Sequence, residues 1–308
     1  MRSFTVGTRG SALALWQTRD VSARLTRHGA TVKEKIITTQ GDVNLADRLQ
    51  GSIEKGFFTQ ELEAELHDKT IDWAVHSLKD LPTRMPRGLV LGAVLERAPA
   101  SDLLLVRLDA LDDAMPLSLK AGARVGSSSL RREHLLRRHA PKANPLPLRG
   151  NVPTRVEKLK KGENYEAILL AEAGVTRLAL DLSGLAVFRL NPKRWVCAPG
   201  QGAVAVQCRE DDAEVRGLLA HLNHPATNRA TSLERDFLRV LEGGCTTPFG
   251  AFIEGDVAHL GLAKDNGWTS TTAKLIAEPT ASWMQTQLDT LSSTTSQEEA
   301  HEWLSRRL

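Results

Sequence analysis

The residues of this chain with chemistry to offer gather where an apolar run gives way to a helical pattern. Thr8-Arg9-Gly10-Ser11 is the first such junction, Gly126-Ser127-Ser128-Ser129-Leu130-Arg131-Arg132 the second, and Leu148-Arg149-Gly150-Asn151-Val152-Pro153-Thr154-Arg155 the third. A weaker fourth is Ala173-Gly174-Val175-Thr176-Arg177. Ser11 and Asn151 are placed to cap the helices that follow, and Pro153 falls in a first turn, where its missing N–H is no loss. A helix N-terminus offers free N–H groups and the positive end of a dipole. Arginine adds a planar fork that takes a carboxylate in bidentate fashion. Taken singly, an Arg-Arg pair on a helix is usually a solvated face, and a Ser or Asn cap is a stability device worth ~1 kcal/mol. The repetition is harder to dismiss, because solvated charges have no reason to gather at strand ends. In open α/β sheets, ligands bind outside the carboxyl ends of the strands. The pattern predicts a ligand carrying several carboxylates.

Two further stretches carry reactive groups. His76-Ser77-Leu78-Lys79-Asp80-Leu81-Pro82 follows a strand pattern and places Asp80 at the same kind of sheet edge. Among so many cations, Asp80 is a candidate to stabilise a cationic intermediate or to accept from a ligand N–H. The plainer reading is a surface Lys-Asp pair, and His76 reads as a packed strand histidine. Leu241-Glu242-Gly243-Gly244-Cys245-Thr246-Thr247-Pro248 puts two glycines before a cysteine, a tight turn that can project the sulfur outward as a nucleophile or attachment point. Cys197 and Cys208, beside apolar runs, read as buried structural thiols.

The elements that must position these groups alternate short apolar runs with helical patterns over the first two thirds, the mark of a parallel or mixed α/β sheet. Strands are predicted at 4–6, 32–37, 71–75, 103–106, 124–125, 146–148, 167–171 and 202–206. A helix from about Ala12 is expected to bury Leu13, Trp16, Val21 and Leu25. Another carries Phe58, Leu62 and Leu66 at i, i+4 and i+8. A helix-like stretch covers 213–222. After Pro225 one helix (226–241) leads to the Gly-Gly-Cys. Two strands then flank Asp265-Asn266-Gly267, a hairpin signal, and a helix from about Ala281 and a short C-terminal one close a small α+β region.

Composition narrows the function classes. Aromatic residues are 5% with a single Tyr, and the formal charge is only +3, so neither base stacking nor general polyanion binding is expected. No apolar stretch approaches the ~20 residues a membrane span needs. The sequence reaches patterned residues directly after Met1-Arg2-Ser3-Phe4, so no signal peptide is expected, and three cysteines at wide spacing fit neither a disulfide framework nor a zinc site. A cytoplasmic protein without a metal is expected.

In their order along the chain, Thr8–Gln17 (Thr-Arg-Gly-Ser-Ala-Leu-Ala-Leu-Trp-Gln), His76–Asp80, Ser128–Arg132, Leu148–Asn151 with Thr154-Arg155, Gly200-Gln201-Gly202-Ala203 and Leu241–Cys245 closely resemble the porphobilinogen deaminase (hydroxymethylbilane synthase) family. The resemblance implies an α/β fold. Two domains like the lobes of periplasmic binding proteins, residues 1–99 with 200–217 and residues 100–199, would flank a cleft, and a small α+β domain, 218–308, would carry the cysteine. It implies a dipyrromethane cofactor joined through a thioether to Cys245, with Lys79, Asp80, Ser129, Arg131 and Arg132 around it. Asp80 would stabilise the charge that forms as ammonia leaves porphobilinogen and as the new pyrrole is attacked. Arg9, Ser11, Gln17, Lys55, Phe58, Arg149, Arg155 and Arg177 would serve the substrate and its acetate and propionate groups. Four porphobilinogens would be joined in turn, and water would release hydroxymethylbilane. In Gly51-Ser52-Ile53-Glu54-Lys55-Gly56-Phe57-Phe58 the chain keeps Lys55 and Phe58 but has Glu54 where the family usually has glycine. A monomer with no nucleic-acid or membrane partner is implied. The competing reading is a two-lobed anion-binding protein without catalysis, in which the Gly-Gly-Cys loop would have no purpose.

Overall fold

The structure, a computed structural model, describes residues 2–39, 59–241, 247–264, 267–293 and 304–305. The chain groups into two compact units, residues 1–98 with 202–232 and residues 99–201 with 233–308.

The first unit is built on a mixed five-stranded sheet. Its strands are β1 (Ser3–Thr8), β2 (Thr31–Ile36), β3 (Trp73–Ser77), β4 (Leu89–Val94) and, from later in the chain, Val204–Arg209, in the order β2-β1-β3-(204–209)-β4. β1 runs parallel to both β2 and β3, and the returning strand is antiparallel to its two neighbours. Helix α1 (Ala12–Arg27) covers one face with Val21 and Leu25 against Phe4, Val6, Trp73, Val75 and Val206. Helix α2 (Gln60–His67) covers the other, where Leu62 and Leu66 meet Ile71 and Ala74. The i, i+4 stripe of α1 runs Gln17-Val21-Leu25, so Trp16, one residue off it, stays 37% exposed and Leu13 only half-buried. The sequence pattern predicts both in the core, and the structure leaves both at its rim.

The second unit holds a six-stranded sheet and a three-stranded one. In chain order come β5 (Asp102–Arg107), β6 (Arg124–Gly126), helix α3 (Leu130–His139), β7 (Asn144–Leu146), helix α4 (Val152–Lys161), β8 (Ala167–Ala171), helix α5 (Glu172–Arg177) and β9 (Leu185–Leu190). The sheet order is (304–305)-β9-β5-β8-β6-β7, with β8, β6 and β7 mutually parallel. Alternation along β5 sends Leu104 and Val106 to the face packed by Leu135 and Leu136 of α3, and Leu103 and Leu105 to that packed by Val156 and Leu159 of α4. The returning strand of the first unit is β10 (Val204–Arg209), followed by α6 (Ala213–Ala220) and α7 (Pro225–Val240). β11 (Phe249–Glu254), β12 (Val257–Lys264) and β13 (Gly267–Lys274) form the antiparallel three-stranded sheet, and α8 (Ala281–Ser293) follows. Through Ala263 and Trp268 that sheet shares a core with Leu104 and Phe188. β10 starts at Val204 rather than Gly202, whose φ of 89° interrupts an extended strand. Of the C-terminal stretch where the sequence predicts a short helix, only Leu304–Ser305 (β14) falls within the described residues, and it pairs antiparallel with β9. Among the described residues no helix is long and apolar enough to cross a membrane.

Candidate functional site

In the first unit the chemistry collects at the C-terminal ends of β1 and β3, which are adjacent and parallel. From β1 the chain turns through Arg9 and Gly10 to Ser11, whose hydroxyl accepts from the Ala14 N–H at 3.3 Å and caps α1. From β3 it passes into a single 3₁₀ turn, Leu78–Asp80, before Pro82. Leu78 and Leu81 are buried on either side of Lys79 and Asp80, and the Leu78 N–H donates to the Ala203 carbonyl at 3.0 Å. This pinning presents Asp80 as an exposed carboxylate on a fixed turn, with Lys79 half-buried beside it. Gln17, expected among the substrate-binding residues, is buried, and its Nε2 donates to Ser77 Oγ at 2.9 Å. It therefore joins α1 to the start of the Asp80 turn.

His76 lies buried on β3, as a packed strand histidine should. Burial pushes its imidazole down to about 4, with a small opposing pull from Gln207 and a further push down from the Arg9 charge. Between pH 6.5 and about 4 the unfolded chain thus takes up a proton here that the fold does not. The contribution of this site to stability is intact above pH 6.5 and falls as the pH drops towards 4, by about 3 kcal/mol at most. Wild type and His76→Gln, unfolded in urea at a series of pH values, are expected to converge in stability across that window as the solution is acidified. Curves that stay parallel would mean that His76 is not held neutral.

In the second unit the predicted junctions follow β6, β7 and β8, three neighbouring parallel strands, so they line one edge of one sheet. After β6, Ser128 donates its hydroxyl to the Leu148 carbonyl and Ser129 caps α3 by accepting from the Arg132 N–H at 3.5 Å. Beyond β7, Gly150 has φ +117°, a conformation open to glycine, and a Cβ there would meet Thr154 Cγ2 at 2.9 Å. Asn151 then caps α4, accepting from the Thr154 N–H at 3.0 Å. Arg155 Nε donates to the Gly150 carbonyl at 2.7 Å and Lys158 Nζ to the Arg149 carbonyl at 3.1 Å, which fix this loop while leaving the half-buried Arg149 at its tip. Arg177 ends the short α5 after β8 and is half-buried.

Arg131 and Arg132 are not on a solvated face: both are buried, and both reach the fully buried Asp102 at the head of β5. Asp102 Oδ2 accepts from Arg131 Nη2 at 2.8 Å and from Trp195 Nε1 at 3.0 Å. Its Oδ1 accepts from Arg132 Nη2 at 2.7 Å and from Gln201 Nε2 at 2.9 Å. Arg131 Nη1 donates to the Val196 carbonyl at 2.8 Å and Arg132 Nη1 to that of Leu169 at 3.2 Å. Burial opposes the Asp102 charge, but the two guanidiniums outweigh it and hold the carboxyl well below the ordinary carboxylate range. Sequence reading missed Asp102 and Trp195. The available signal was a lone acid opening the apolar run Leu103–Val106.

Lys55, Phe58 and Cys245 lie outside the described residues. Cys197 and Cys208 are buried, and burial pushes the Cys208 thiol up to about 11.

The model of the family described as "Porphobilinogen deaminase, dipyromethane cofactor binding domain" matches residues 4–217. A porphobilinogen deaminase of Desulforamulus reducens is 44% identical over 256 residues, 81% of this chain and 79% of that protein. One from Gloeobacter violaceus is 45% identical over 258 residues, 83% of this chain and 77% of that protein. Among solved structures, a periplasmic substrate-binding protein of an ABC transporter from Coxiella burnetii is 16% identical with a TM-score of 0.43, covering 75% of this chain and 96% of its own. That last likeness is too slight to carry an argument, whereas the family match spans most of the sequence. This chain belongs to the porphobilinogen deaminase family.

Proposed function

We propose that this chain is a hydroxymethylbilane synthase, a transferase that joins four porphobilinogens in turn onto a dipyrromethane primer held by Cys245 and releases the tetrapyrrole with water. Family membership supports the reaction, and one observation of the molecule carries it further. Two buried guanidiniums face a single carboxylate, leaving one surplus positive charge, and the Nε of each has no partner among the described residues. Buried donors without acceptors are costly, so this pair suits a carboxylate-bearing group, and a dipyrromethane fits it. When bound, that group supplies a pyrrole α-carbon as nucleophile. Ser129, Arg131 and Arg132 would hold its side chains, with Lys79 and Asp80 completing its surroundings.

The remaining roles follow from charge. Asp80, exposed on its fixed turn, would stabilise the cation that forms on porphobilinogen as ammonia departs, and again as the new bond is made. Each substrate brings two carboxylates; Arg9, Ser11, Arg149, Arg155 and Arg177 would bind and orient them, together with Lys55 and Phe58. Gln17 would act through the Ser77 contact, keeping the Asp80 turn in place. A monomer is sufficient for these roles.

The test is to incubate the purified chain with porphobilinogen and measure ammonia and hydroxymethylbilane together. One ammonia per porphobilinogen consumed, with product formed, is expected. Substrate binding with no ammonia released would leave a carboxylate-binding protein in place of an enzyme.

A further inference from the structure

We propose that Asp102 is a positioning residue, the buried carboxylate that presents Arg131 and Arg132 as one anion-binding pair. The inference rests on the reading that these arginines hold the primer's carboxylates. Asp102 is fixed from every side. Its backbone is in β5, paired with Ala171 on one flank and Leu190 on the other. Its two oxygens take four donors, from Arg131, Arg132, Trp195 and Gln201. Trp195 is fully buried, with its ring 5.8 Å from that of His139 on the same helix as the two arginines. Gln201 sits between Gly200 and Gly202, whose φ values of 73° and 89° turn the chain so that its amide reaches both Asp102 and the Ala100 carbonyl, the latter at 2.6 Å.

A carboxylate so held cannot rotate to follow either guanidinium, so the guanidiniums must conform to it. Each oxygen takes one Nη2, which orients the two forks relative to each other and leaves both Nε groups over. Replacing such a buried cluster by apolar residues often costs no stability. What the cluster provides is an oriented pair with one net positive charge, the requirement for taking an anion in a defined pose.

Position and charge predict opposite signs for Asp102→Asn. The variant raises the net charge of the cluster, so charge alone would strengthen anion binding. It also turns an amide N–H towards a guanidinium, so orientation is lost and binding weakens. Full-length wild type, Asp102→Asn, Trp195→Phe, Arg131→Leu and Arg132→Leu are each expressed, checked for cooperative unfolding and incubated with porphobilinogen while intact mass is followed. Asp102→Asn is expected to slow the appearance of chains carrying two added pyrrole units by roughly ten-fold or more and to raise the porphobilinogen concentration needed. Trp195→Phe, which deletes one donor to the same carboxylate, is expected to act in the same direction more mildly. Loading of Asp102→Asn at or above the wild-type rate, while the arginine variants fail to load, would overturn the role of Asp102 alone. Arginine variants that load normally would overturn the underlying reading instead. If Asp102→Asn does not fold, Trp195→Phe decides: slowed loading supports the proposal and unchanged loading ends it.

Discussion

Cys245→Ala is expected to yield a folded chain that gains no pyrrole mass with porphobilinogen and whose turnover falls by at least about 10³-fold, the order of loss when a covalent attachment residue is removed. The expectation rests on which sulfurs can substitute. Cys197 and Cys208 are both buried, and the Cys208 thiol is pushed up to about 11, so at neutral pH it offers almost no thiolate. Neither is placed to take over a thioether bond, and Cys245 is the cysteine that directly follows a Gly-Gly pair in the sequence. The check is the intact mass of wild type beside the variant. Two pyrrole units present only in the wild type would assign the attachment residue; the same addition on both would move it to another side chain.

Much of the arrangement of the candidate site is legible in the sequence because it follows from local rules. Ser11 and Asn151 cap helices that follow strands, as period and capping chemistry indicate, whereas the Ser129 cap emerges only from the structure. The sequence could not supply sheet order. That β8, β6 and β7 are neighbours, which sets the arginine-bearing junctions along one edge, depends on pairing between residues 20 and 42 positions apart. Arg131 and Arg132 show the same limit at closer range. Their helix has a mean composition so polar that a solvated face was the plain reading, yet a carboxylate 29 and 30 residues away draws both inward. Gln17 was read as facing substrate because of its motif, and its burial against Ser77 became visible only once α1 was laid on β3. Trp16 differs for a simpler reason: size and apolarity alone predict it inward, but the stripe through Gln17, Val21 and Leu25 leaves it at the rim. Asp102 went unnoticed because one acid before four apolar residues reads as the mouth of a strand, and its partners Trp195 and Gln201 lie 93 and 99 residues away.

Asp80→Asn is expected to lower kcat by about 10²–10³-fold with little change in KM, the magnitude of losing one preorganised electrostatic contact to a developing charge. The substitution keeps the shape and one acceptor oxygen while removing the charge, so it separates stabilisation of a cation from simple contact. KM is expected to hold because substrate carboxylates are assigned to arginines, which the change leaves in place. Stability is expected to move by no more than about 0.5 kcal/mol, since Asp80 is exposed and its turn is fixed by Leu78, Leu81 and the Leu78–Ala203 backbone bond. Asp80→Ala is expected to fall further, losing the acceptor as well, and Asp80→Glu to recover part of kcat if charge is what matters. Steady-state kinetics on the four proteins decide between the two roles. A kcat that survives in Asn and Ala alike would remove Asp80 from the chemistry. A rise in KM at constant kcat would make it a substrate-binding residue, because an interaction made equally in ground and transition states cannot lower the barrier between them.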